Sequence, residues 1–238
     1  GAGGFIGAHF IAELLHNSTH SVIALVHKFT SVAYLTTVVG SPYAPERMTI
    51  RTGDITDHTK MLSLVRSYNI KVIAHFAAQP IVSIAEADPI ETTRSNILGT
   101  LTLLEIARRE KVTILVMSTD KVYGNVIDAT IDTPLNPQDF YGLTKTSVDQ
   151  FAQYYHKYFD TRVLIVRSCN MYGFDLNPSR LIPSIILDCM SGKDPTIKAP
   201  LSREAQSASY PKIFPARQFV YVGDAVAAIR MYLMIVSI

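Results

Sequence analysis

An α/β fold on a doubly wound parallel sheet is what this sequence predicts, and three observations predict it. Apolar strand candidates alternate with amphipathic helix candidates over residues 1–167. Those strands are β-branched and lack polar alternation, the pattern of strands buried on both faces. The chain also opens on a glycine-spaced turn, Gly1-Ala2-Gly3-Gly4-Phe5-Ile6-Gly7, with a helical pattern directly behind it.

Each element has its own warrant. Phe5, Ile6, Ile11, Leu14 and Leu15 fall at helical spacing, so a helix is expected over 5–16. Residues 21–27 read as a buried strand, and 48–51, 72–77, 113–118 and 162–167 as four more. Helices are expected over 60–68, 93–109 and 141–159. Past Arg167 the pattern changes. Pro178, Pro183, Pro195, Pro200, Pro211 and Pro215 punctuate it, with one helical stretch over 181–190 and a long loop expected over 199–217. This part, 168–238, predicts a smaller C-terminal lobe. Residues 229–238 are apolar but shorter than the ~20 residues that span a bilayer, and read as part of a core helix.

Glycines at Gly1, Gly4 and Gly7 let a turn tighten, a backbone approach a pyrophosphate, and a helix pack closely on a sheet. Amides at the start of the next helix then face the anion. With strand, helix and turn in one short unit, residues 1–167 predict a Rossmann-type dinucleotide-binding domain, and 168–238 a partial substrate-binding lobe. Such a turn follows a buried strand, and none precedes Gly1. The sequence is therefore expected to be cut short there, and its last helix likewise at the other end.

The totals bound the rest. The 238 residues are 48% hydrophobic and 18% charged, enough for a sizeable core. A net charge of +2 argues against a broad nucleic-acid surface while leaving room for a small anionic substrate. Cys169 and Cys189 have no metal-type spacing, so no metal is expected and a reduced, cytoplasmic setting is the simpler reading.

Two patterns carry chemistry. Tyr141 and Lys145 stand four residues apart, on one face of a helix, where an ammonium can stabilise a phenolate. Spacing alone does not separate this from an ordinary solvated face. At the end of an apolar strand, Ser118-Thr119-Asp120-Lys121-Val122-Tyr123-Gly124 sets hydroxyl, carboxylate and amine in a row. Ligands in open α/β sheets bind outside such strand ends. The alternative is that Asp120 caps a turn and Lys121 lies in solvent.

Together with Gly53-Asp54-Ile55-Thr56-Asp57, His75-Phe76-Ala77-Ala78-Gln79, Asn96-Ile97-Leu98-Gly99-Thr100, Arg167 to Gly173 and Arg217 to Asp224, these blocks resemble the extended short-chain dehydrogenase/reductase family. Within it the chain is similar to the nucleotide-sugar epimerases and 4,6-dehydratases. The resemblance implies an NAD(P) enzyme acting on a nucleotide-diphosphate hexose. Gly1, Gly4, Phe5, Ile6, Gly7, Asp54, Ile55, Ala77 and Ala78 would then line the cofactor. Thr119 would bond the sugar hydroxyl, Tyr141 would take its proton, and Lys145 would hold the nicotinamide ribose. Gln79, Asn96, Asn170 and Arg217 would face the substrate, and the helices over 93–109 and 141–159 would form a homodimer.

Asp120-Lys121 separates the activities. A dehydratase needs a base for C5 and an acid for the departing C6 hydroxyl, whereas an epimerase needs neither. Many dehydratases carry Asp-Glu. The Asp-Lys of this chain resembles the CDP-glucose 4,6-dehydratases and some UDP-N-acetylglucosamine 4,6-dehydratases, in which a lysine is thought to replace the glutamate as base. GDP-mannose-type dehydratases are similar in the basic residues that follow the second strand. The expectation is a 4,6-dehydratase. A 4-epimerase and a non-catalytic dinucleotide-binding protein are the alternatives. His27 and Lys28 stand where NAD-preferring members place a carboxylate, which tilts the expectation from NAD towards NADP.

Overall fold

The computed structural model describes residues 1–27, 32–40, 44–195 and 218–236. The expected alternation is present. Helix α1 (Phe5–Asn17) leads into β1 (Val22–Val26), α2 (Val32–Val39), the short α3 (Ala44–Arg47) and β2 (Met48–Thr52). Then come α4 (His58–Ser67), β3 (Val72–His75), α5 (Val82–Ala87) and α6 (Pro89–Thr93). A π-helical turn (Arg94–Leu98) joins α6 to α7 (Gly99–Glu110) and β4 (Thr113–Met117). A 3-10 turn (Asp120–Tyr123), α8 (Phe140–Phe159), β5 (Val163–Val166) and β6 (Asn170–Tyr172) follow. The chain ends in α9 (Leu181–Met190), β7 (Phe219–Tyr221) and α10 (Val222–Val236).

All strand pairs are parallel, as β1–β2, β3–β4–β5 and β6–β7. Strand β4 is buried throughout because its alternate residues enter two cores. Ile114 and Val116 meet α4, α7 and α8 through Met61, Val65, Leu104, Ile106 and Ala152. Leu115 and Met117 meet α1 and α10 through Phe10, Val222, Val226 and Ile229. Fully burying one such side chain stabilises by about 1.5–3 kcal/mol. A third core, with Ile11, Leu15, Ala24, Val26, Leu35 and Val39, packs α1 and α2 on β1.

The structure differs from the sequence reading in two places. The helix expected over 93–109 is three pieces. Asp88 accepts the Glu91 amide at 3.1 Å and Pro89 opens α6, so the helical run starts earlier than its apolar pattern. Strand pairs β1–β2 and β3–β4–β5 bond separately. Gly1 lies between them: the Ala2 amide donates to Leu25 O at 3.1 Å, and a Cβ on Gly1 would stand 2.5 Å from Ala77 N. Finally, α10 packs on α1 and β4, across the boundary expected at residue 167.

Candidate active site

Strand β4 delivers the first group of side chains. Its apolar run stops at Met117 because Ser118 turns its hydroxyl onto Asp149 Oδ2, 2.8 Å away. Thr119 caps the 3-10 turn, accepting from the Lys121 amide at 3.3 Å and donating to Asp120 Oδ1 at 3.0 Å. The Asp120 amide in turn donates to Ser168 O at 2.9 Å, pinning the turn to the chain after β5. Thus Thr119, Asp120 and Lys121 stand together at the carboxyl end of the sheet.

Helix α8 delivers the second group. Asp139 caps it, its Oδ1 accepting from the Gly142 amide at 2.7 Å. The other oxygen, Oδ2, lies 3.0 Å from Lys121 Nζ. One carboxylate thus ties the 3-10 turn to the first turn of α8. Gly142 allows the approach, since a Cβ there would stand 3.2 Å from Lys121 O. Tyr141 is 9% exposed, and burial pushes its phenol up to about 12. The Arg180 charge and a bond from Thr119 oppose that rise, while Asp139 and Asp120 add to it. Lys145 is 3% exposed and makes no hydrogen bond among the described residues. Burial lowers it to about 8, with Asp149 pulling the other way. The expectation that Lys145 lowers the Tyr141 phenol is not met in this state, because burial dominates both groups.

Behind Lys145 lies a buried polar layer. Arg167 grips Asp149 with Nε and Nη2, both at 2.9 Å, and reaches Tyr123 Oη at 2.8 Å. His75 contacts Thr100 Oγ1 at 2.9 Å, and burial and the Lys145 charge push it well below its usual range. Asn96 is 1% exposed. Expected to face the substrate, it instead braces the chain after β3 onto α8: Oδ1 accepts from the Gln79 amide at 2.7 Å, and Nδ2 donates to Gln79 O at 3.2 Å and Thr144 Oγ1 at 2.9 Å. Gln79 joins that brace, its side-chain oxygen accepting from the Ile81 amide at 3.0 Å. Asn170 sits in β6 and donates to Gln218 O at 3.4 Å.

At the other end of the crevice, α1 has Gly4 at its N-cap with no side-chain cap. The turn around Gly1, Gly4 and Gly7 leaves the first amides of α1, at Phe5 and Ile6, open to an anion. Ala77 lies against Gly1, and Ile55 packs where a Cβ on Gly99 would sit. Burial alone would raise the Asp54 carboxyl, but bonds from Thr56 and the Arg94 guanidinium hold it below its usual range. Asp54 Oδ2 stands 3.9 Å from His27 Nε2. A carboxylate therefore does reach the end of β1, supplied from beyond β2 and invisible in the local sequence. Lys28 and Arg217 lie outside the described residues.

An open helix N-terminus at a glycine turn and a buried, unbonded lysine beside a tyrosine suit a dinucleotide cofactor. Sequence reasoning missed Asp139, Asp149 and Arg180. Asp139 carried a signal, as a capping residue two places before Tyr141. Arg180 also had a position, just before α9, and its Nε is buried with no hydrogen-bond partner among the described residues. Asp149 carried none.

Residues 1–235 match the NAD dependent epimerase/dehydratase family, and the chain belongs to that family. It is 33% identical over 238 residues to the low-salt glycan biosynthesis protein Agl12 of Haloferax volcanii, covering 98% of this chain and 71% of that protein. It is 32% identical to the dTDP-glucose 4,6-dehydratase of Mycolicibacterium smegmatis, covering 83% of this chain but 60% of that enzyme. The crystal structure of DesIV, the dTDP-glucose 4,6-dehydratase of Streptomyces venezuelae with NAD and TYD bound, superposes with a TM-score of 0.83 at 30% identity. That match covers 98% of this chain and 70% of DesIV. Among the described residues no helix is long and apolar enough to cross a membrane.

Proposed function

We propose that this protein is an NAD(P)-dependent 4,6-dehydratase of a nucleotide-diphosphate hexose. One observation carries the reading: Asp120 and Lys121 stand side by side in the turn that Asp139 ties to the Tyr141 helix. An epimerase has no use for an acid–base pair there.

Held by the glycine turn around Gly1, Gly4 and Gly7 and by Lys145, a dinucleotide cofactor would supply a nicotinamide able to accept a hydride from C4 and return it at C6. The chain does the rest. Thr119, oriented by Asp120, holds the C4 hydroxyl. Tyr141 receives its proton, and the Lys145 ammonium holds the ribose and favours the phenolate. Oxidation at C4 acidifies the C5 proton. The C5 proton then leaves to one group of the turn, and the C6 hydroxyl departs as water with a proton from the other. Lys121 was expected as the C5 base. Its ammonium is paired with Asp139, and a protonated amine has no lone pair to accept with. The geometry therefore favours Asp120 as base and Lys121 as donor. Arg180, whose Nε has no partner among the described residues, suits the diphosphate, because a guanidinium fork matches phosphate oxygens.

Screening dTDP-, UDP-, CDP- and GDP-hexoses with each cofactor tests this. The expected product is a 4-keto-6-deoxy sugar carrying solvent deuterium at C5. An inverted C4 hydroxyl without loss of water would establish an epimerase instead. Cofactor binding with no sugar chemistry would sink both.

We also propose that two copies pair through α7 and α8. Leu143, Phe151, Tyr154 and Tyr158 recur at helical spacing on α8 and are all exposed, with Leu98 exposed just before α7. Light scattering should give a dimer that Tyr154→Glu with Tyr158→Glu converts to monomer. An unchanged mass for that variant would place the contact elsewhere.

A further inference from the structure

We propose that Asp149 and Arg167 are positioning residues that hold the helix bearing Lys145 against the turn bearing Thr119 and set a fixed negative charge one helical turn from the lysine. The catalytic arm of this inference rests on the dehydratase reading, and its structural arm does not. Asp149 lies one helical turn beyond Lys145, on the same face of α8. Its carboxylate is 0% exposed and fully engaged: Ser118 Oγ donates at 2.8 Å, Gln153 Nε2 at 2.7 Å, and Arg167 twice at 2.9 Å. Arg167 continues to Tyr123 Oη at 2.8 Å and to Ile131 O at 3.1 Å. One ion pair thus joins the chain after β5, the helix bearing Tyr141 and Lys145, and both ends of the turn bearing Thr119, Asp120 and Lys121.

A buried ion pair is weak evidence for stability, because removing two charges from water offsets most of their attraction. Its place argues for a further role. Lys145 is buried without a hydrogen bond, and burial alone would discharge it. Among the described residues the groups around it are few. Tyr141 and Asp149 share its helix face, and His75 faces it from β3. His75 is held neutral, and the Tyr141 phenol sits near 12. Asp149 is the opposite charge that raises Lys145, and Arg167 keeps Asp149 ionised where burial alone would protonate it.

The test has two variants that remove the Asp149 charge by different routes. Asp149→Asn combined with Arg167→Met removes both charges without leaving either unpaired. In cofactor-free protein, the midpoint of the Lys145 ammonium is followed by NMR, its signal assigned by loss in Lys145→Arg. From about 8 it should fall by about one pH unit. Arg167→Gln alone leaves the buried carboxylate to take up a proton, so it too should lower the midpoint. The alkaline decline of turnover should shift with the midpoint in both. A merely structural pair would change the melting temperature and leave the Lys145 midpoint where it was. An unmoved midpoint in whichever variant folds overturns the proposal. If the midpoint moves while no nucleotide hexose is turned over even by the unsubstituted protein, the dehydratase reading falls and the positioning pair stands.

Discussion

Tyr141→Phe should remove the first step altogether. The ring is nearly enclosed, so phenylalanine fills the same space and the fold should persist. What goes is the oxygen that receives the C4 proton. Burial holds that phenol near 12, so the unaided side chain is a poor acceptor at neutral pH. Positive charge has to offset burial, and two residues offer it: Lys145 one turn along the helix, and Arg180, whose charge already opposes the rise. Losing a positioned general base typically lowers a rate by about 100- to 10,000-fold. Rapid mixing with substrate and oxidised cofactor should show no reduced nicotinamide in Tyr141→Phe, and no deuterium at C5, because without the ketone that proton is not acidic. Cofactor affinity should stay within a few-fold. Reduced nicotinamide appearing at the unsubstituted rate would remove Tyr141 from the chemistry.

Much of this site was legible because its signals are local. Tyr141 and Lys145 share a helix face by spacing, Thr119 to Lys121 follow directly on a buried strand, and the glycine turn opens a helix. Each is read within a few residues. The charges that set how these groups behave are not local. Asp149 and Arg167 are 18 residues apart in sequence, as are Lys121 and Asp139, and neither pair has a periodicity that joins them. Asn96 misled for the same reason: a polar side chain in a family block reads as a ligand, whereas here the chain after β3 and Thr144 already occupy its amide. The helix over 93–109 was misplaced because apolar spacing marks the packed face of a helix and not its start. Asp88 and Pro89 set that start, and the π turn before Gly99 shifts the phase of the face.

Lys121→Ala should separate the second step from the first. Thr119, Tyr141 and Lys145 are untouched, so C4 oxidation should proceed and reduced nicotinamide should appear. Alanine cannot give the departing C6 oxygen a proton, and elimination should slow by about 100- to 10,000-fold. The two readings of the lysine then part at C5. With Asp120 as the base, the stalled 4-keto sugar still exchanges its C5 proton, and substrate re-formed by return of the hydride to C4 should carry deuterium at C5. With Lys121 as the base, the re-formed substrate carries none. The ion pair with Asp139, 3.0 Å long, argues for the first outcome. Asp139→Asn sharpens it, because asparagine caps a helix as well as aspartate. That variant should keep α8 and the oxidation step while loosening Lys121, so kcat falls and KM changes little. In a Lys121→Ala background the same substitution should add nothing, since residues that act through one interaction are not additive. Normal product from Lys121→Ala would show that the lysine only lies beside the site, and would leave Asp120 or a water to carry both protons.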